Sequence, residues 1–135
     1  YHANYVNNGD YSTAENWAYG AGGVLLHKEG VCQSYAFAFY MMAISAGLEC
    51  RFVSGTADGG GHAWNQVKVN GKWYYIDCTW DDPVIIGNGK VGNETKYKYF
   101  LRGSSYINRD HISNGQFTDG GETYQYPALS VTDYR

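Results

Sequence analysis

No apolar run approaches the ~18 to 20 residues that a membrane-spanning helix needs, so no membrane span is expected. No signal segment is visible. The chain opens Tyr1-His2-Ala3 without an initiator Met and reads as a fragment or processed product. Charge is scarce: 17% of residues, against roughly 25% in an ordinary soluble domain. A net charge of −3 gives no electrostatic reason to expect nucleic acid or an anionic membrane as partner. Cysteines number three, Cys32, Cys50 and Cys78, and an odd count excludes a fully paired disulfide framework within the chain. C-x-x-C and H-x-x-x-H pairs, Walker and dinucleotide patterns and the EF-hand pattern are all missing, so no metal and no cofactor is expected. Repeats, low-complexity tracts and linkers are absent too, and residues 1–135 read as one domain, long enough for a real core.

Tyrosine is abundant instead, with 14 copies, offering an apolar body with a polar tip suited to polymer surfaces. Together with few charges, the Tyr, Asn and Gly content suggests a secreted or cell-surface protein. Ser12 and Glu15 have the spacing of a capping box, opening a short helix that stops near Gly20. Val24-Leu25-Leu26 reads as a buried turn closed by Gly30. From Cys32 to Ala46 a helix is expected, ending at Gly47. Its apolar residues lie on nearly every face, which predicts a helix enclosed by the rest of the domain.

Strands are expected over 50–54, 63–69, 72–79 and 97–101, with a further one over 123–126. Residues 55–61 read as a flexible connection, Asp81-Asp82-Pro83 as a turn with solvated carboxylates, and 84–96 as an exposed excursion. Helices first and strands later describe an α+β domain, one helix packed on an antiparallel sheet.

Asn70-Gly71 is a strong hairpin signal. With a two-residue loop, Val69 pairs with Lys72, Trp64 faces Asp77 and His62 faces Thr79. Side chains alternate along a strand, so His62, Trp64, Gln66 and Lys68 share a face with Trp73, Tyr75, Asp77 and Thr79. The opposite face carries Ala63, Val67, Val69, Tyr74, Ile76 and Cys78. His62 and Asp77 are then diagonal neighbours, at up to about 7–8 Å between Cβ atoms. Asp77 in an otherwise apolar strand needs a partner, and His62 supplies one. Cys32 opens the helix, where free N–H groups favour a thiolate and could hold an oxyanion. A thiol, an imidazole and a carboxylate make a nucleophile, its base and the base's orienter.

These segments carry a resemblance. Gly30-Val31-Cys32-Gln33-Ser34-Tyr35-Ala36, His62-Ala63-Trp64-Asn65 and Trp73-Tyr74-Tyr75-Ile76-Asp77-Cys78-Thr79-Trp80-Asp81-Asp82-Pro83 resemble bacterial proteins of the transglutaminase-like superfamily. The match runs from about Tyr19 to Asp82, and Tyr97 to Leu101 resembles the family's later strand. It implies a papain-like α+β core, with a buried central helix carrying Cys32 on a small antiparallel sheet or barrel carrying His62 and Asp77. It also implies acyl transfer from an amide through a thioester, with Cys32 as nucleophile, His62 as base and Asp77 as orienter. Family members often use a residue upstream of the Cys to hold the oxyanion, and Trp17, Tyr19 and Gln33 are the candidates. Cys78 stands where an aliphatic residue is usual, the papain-type Gly-Ser-Cys-Trp run is absent, and part of the N-terminal helical region is expected to lie outside this chain.

Trp64 and Trp80 are expected to wall the site. His111 resembles a late His of relatives, and a structural role is expected for it. His2 and His27 get no role. The reading is a cysteine-dependent protease or transglutaminase-type enzyme acting on a protein or peptide substrate. Its rival is a surface binding or scaffold module that keeps the fold without turnover.

Overall fold

Two tight turns set the sheet of this protein, whose computed structural model describes residues 16–83 and 89–134. The Ser12–Glu15 capping box falls outside the described residues. Asn70 and Gly71 both take positive φ (49° and 80°), the backbone a two-residue hairpin loop requires. They join β2 (Gly60–Val69) to β3 (Lys72–Ile76) in the register running from Val69↔Lys72 to Asn65↔Ile76. This is the register predicted from the loop length. Asp58 and Gly59, at φ 47° and 78°, turn β1 (Cys50–Ala57) into β2 with Ala57 opposite Gly60. The expected flexible connection over 55–61 is therefore the paired tip of a long hairpin. Asp-Gly is a turn signal of the same kind as Asn-Gly, and the neighbouring glycines obscure it.

The sheet runs β4-β3-β2-β1-β5, adding β4 (Phe100–Arg102) beside β3 and β5 (His111–Ser113) beside β1, with every pairing antiparallel. β6 (Gln116–Asp119) and β7 (Glu122–Gln125) form a separate hairpin, so the expected late strand does not join the main sheet. Gly55 lets β5 approach: a Cβ there would lie 2.1 Å from the Ile112 carbonyl.

Helix α1 spans Cys32–Ser45 after an extended Val31. It closes on Gly47 at φ 80°, with Leu48 N–H donating to the Ala43 carbonyl and Gly47 N–H to that of Ile44, each at 2.9 Å. That is a Schellman stop. Its small residues Ala36, Ala38 and Ala43 are buried, as are Ser34 and Tyr35. Asn65 Nδ2 donates to the Ala36 carbonyl at 3.0 Å, and Phe37 stacks on Phe52 at 4.5 Å, fixing the helix on the β1–β2 face. The predicted enclosure does not hold: Met41, Met42 and Ile44 are about half exposed. Apolar residues all round the helix conceal which side the sheet approaches, and the alanines mark it. The turn at Gly23–His27 is likewise not buried, since Leu26 is 80% exposed.

The opposite sheet face bears the aromatic core. Val53, Trp64 and Tyr75 pack there with Tyr99 and Ile107, the last from the short helix α3 (Ser104–Ile107) that follows a single turn α2 (Asn93–Lys96). This core lies directly under the His62 and Asp77 side chains.

Candidate active site

Cys32 is partly exposed at the first residue of α1. The entrance to the helix is tied down by Ser34, whose Oγ donates to the Gly20 carbonyl at 2.6 Å and accepts from Val24 N–H at 3.1 Å. Val31 N–H donates to the Ala18 carbonyl at 3.1 Å. The segment before the helix is thus bonded to its first turn on both sides of Cys32. Tyr35 OH donates to Asp82 Oδ2 at 2.5 Å, linking the same turn to the loop after Asp77.

His62 lies near the start of β2 and Asp77 just past the end of β3, where pairing with β4 shifts register. Their side chains meet, with His62 Nε2 2.7 Å from Asp77 Oδ2. Asp77 is fully buried. Its Oδ1 accepts the N–H groups of Thr79 (3.0 Å) and Trp80 (3.1 Å), and its Oδ2 accepts His62 and also His111 Nε2 (3.1 Å). Burial opposes the charge, but the bonds from His111, His62 and the Trp80 backbone outweigh it and hold the carboxyl below its ordinary range. An ionised carboxylate can only accept, so Nε2 of His62 carries a hydrogen. Nδ1 is left for a second partner.

Cys32 acts on the ring as well and helps to raise it. Burial alone would lower His62; the bond to Asp77 and the contact with Cys32 overcome it and raise the imidazole to about 9. Of the three residues singled out in the sequence, His62 and Asp77 meet directly, and Cys32 influences the same ring. Neither other thiol reaches it as a disulfide: Cys50 and Cys78 are free, and burial pushes them up to about 11 and about 12.

The remaining candidates divide. Trp80 packs against His62, ring centres 5.6 Å apart, and covers it. Trp64 is 2% exposed and lies beneath His62 and His111. It supports the rings from the core and does not face the outside. Trp17 stacks on His27 at 4.4 Å. Trp17 and Tyr19 flank Ala18 at the helix entrance, and Gln33 sits partly exposed beside Cys32. Asp81 is not a solvated carboxylate: Oδ1 accepts Tyr99 N–H at 2.8 Å, and burial raises its acid to about 6.

His111 is the residue whose place the sequence did not give. It is 3% exposed, and its Nδ1 lies 2.6 Å from Asp110 Oδ1. The ligand-type atoms of His62, Asp77 and His111 fall within 4.8 Å of one another. Since Asp77 Oδ2 already accepts from both rings, the trio is a hydrogen-bonded chain whose polar atoms are satisfied without an ion.

The family model described as the transglutaminase-like superfamily matches residues 1–78. Kyphoscoliosis peptidase of Mus musculus, and that of Homo sapiens, is 31% identical over 96 residues, covering 62% of this chain and 14% of the relative. A peptide-N(4)-(N-acetyl-beta-glucosaminyl)asparagine amidase of Caenorhabditis briggsae is 31% identical over 96 residues, covering 67% of this chain and 14% of that protein. The chain thus spans about one seventh of the length of these relatives. A solved structure described as a TGase superposes with a TM-score of 0.51 at 22% identity, over 57% of this chain and 21% of that one. That likeness concerns the fold.

Proposed function

The chain belongs to the transglutaminase-like superfamily, and from that premise we propose that it catalyses cysteine-dependent acyl transfer at peptide or Gln side-chain amides, with water as the usual acceptor. One observation carries the reading: a single imidazole, His62, is bonded to a buried, ionised Asp77 and is raised by Cys32 as well.

In this reading His62, raised to about 9, is the proton acceptor and donor for the reaction at Cys32. Sγ of Cys32 attacks the amide carbonyl carbon, and the C=O pair moves onto oxygen. The N–H groups of Val31, Ser34 and Tyr35 donate to the carbonyls of Ala18 and Val31, so those of Cys32 and Gln33 are the backbone donors in the first turn to stabilise the developing oxyanion. Gln33, Trp17 and Tyr19 are the side chains available to assist them. As the C–N bond breaks, the departing amine takes the proton from His62, leaving a thioester on Cys32. His62, now neutral, removes a proton from water, which attacks the thioester. The C–S bond breaks, the acid departs, and the sulfur again faces a protonated ring. Asp77 keeps Nε2 protonated and the ring oriented throughout.

Water is favoured as acceptor because two relatives of this chain are named as a peptidase and an amidase, both of which cleave C–N bonds. The test is incubation with a peptide mixture, with and without a primary amine, read by mass spectrometry. Backbone cleavage or Gln deamidation that disappears in Cys32→Ala is expected. Amine incorporation in its place would make the enzyme a cross-linking one. A folded protein that yields no mass change in any condition would overturn the proposal.

A further inference from the structure

The far side of Asp77 is occupied by a second imidazole that lies outside the segment matched by the family model. His111 opens β5, pairing with Ala57 at the edge of the sheet. Its Nε2 meets Asp77 Oδ2 at 3.1 Å and its Nδ1 meets Asp110 Oδ1 at 2.6 Å. The other oxygens of both carboxylates are engaged as acceptors: Asp77 Oδ1 by two backbone N–H groups, Asp110 Oδ2 by Tyr99 OH at 2.8 Å. Neither carboxyl has a place for a proton on those oxygens. With both carboxyls ionised, both ring nitrogens act as donors, and a ring with two N–H groups is an imidazolium. The titratable groups around it are Asp77, Asp110, His62, Tyr75 and Tyr99, with Trp64 and Trp80 filling the remaining sides.

We propose that His111 is a positioning residue for the Asp77–His62 pair: a buried imidazolium that fixes the Asp77 carboxylate and offsets part of its charge at His62. Its purpose rests on the acyl-transfer reading; its charge and geometry do not. A carboxylate facing His62 alone would hold the ring's proton tightly and slow its delivery to a leaving amine. A second cation on the same oxygen loosens that hold while adding a hydrogen bond that keeps Asp77 in place. The His62 and His111 ring centres are 5.6 Å apart, a separation at which one unit charge shifts another's titration by up to about two pH units at an effective dielectric of ~20.

The test is nitrogen-resolved NMR of the histidines in the whole chain and in two variants. In the unsubstituted protein both ring nitrogens of His111 should carry hydrogens. In His111→Gln, which keeps an N–H donor toward Asp77 without the charge, the His62 midpoint should rise by one to two pH units (about that predicted by the Coulomb figure above). Asp110→Asn, which removes the outer partner of the ring, should move His62 in the same direction and serves if the first variant does not fold. A neutral His111 ring, or a His62 midpoint unchanged in the folded variants, would overturn the proposal. Failure of the unsubstituted protein to turn over any peptide would count against the acyl-transfer reading, and the His111 spectra would still decide this inference.

Discussion

Replacing Asp77 with Asn should cost stability in a way that depends on pH. Four N–H groups converge on the two oxygens of Asp77, and an amide offers only one oxygen. At least one pair of donors would face an NH2 group, an unsatisfied arrangement costing about 2 kcal/mol at any pH. The charge adds a second part. His62 rises from its ordinary 6.5 to about 9, for which Asp77 is the main favourable cause and Cys32 the next. At ~1.4 kcal/mol per pH unit, this rise corresponds to up to about 3 kcal/mol of folding stability. A folded-state value above the unfolded one stabilises fully below the unfolded value, and the benefit fades as pH climbs through the folded value. The stability difference between the native protein and Asp77→Asn should therefore be largest near pH 6, at up to about 5 kcal/mol, and fall to about 2 near pH 10. Urea unfolding at these two pH values, followed by tryptophan fluorescence, measures it. A difference that stays constant between them would refute the assignment of the raised His62 to Asp77.

Iodoacetamide at neutral pH should modify Cys32 in the folded protein and spare Cys50 and Cys78, which burial pushes up to about 11 and about 12; peptide mapping should find all three modified after unfolding. Gly55→Ala would place a Cβ 2.1 Å from the Ile112 carbonyl, so β5 must move, at a cost of about 1–3 kcal/mol by the usual range for overpacking. Because β5 begins with His111, thermal unfolding and the His111 ring signals should change together in that variant.

What could be read from the sequence follows its local signals. Asn70-Gly71 fixes a turn and hence a register, so the meeting of His62 and Asp77 followed from counting residues across one hairpin. Gly47 marked the end of α1 for the same reason, since a left-handed residue there is cheapest for glycine. The Asp58-Gly59 turn was equally local, yet the neighbouring Gly60 and Gly61 made its strands resemble a loose loop. The exposed side of α1 was illegible because helical periodicity is silent when nearly every residue is apolar. The place of His111 was out of reach for a different reason. It lies 34 residues beyond Asp77 on a strand of three residues, too short for alternation to be seen, and only the close approach allowed by Gly55 brings that strand to the sheet.

Trapping the acyl-enzyme tests the central claim most directly. The protein is mixed with a peptide or an activated acyl donor, quenched rapidly in acid, and its intact mass and modified peptide are recorded. The account predicts an acyl group on Cys32, formed in the native protein, absent in Cys32→Ser, and strongly reduced in His62→Ala. A folded native protein that never acquires that mass, or that acquires it equally without His62, would contradict it.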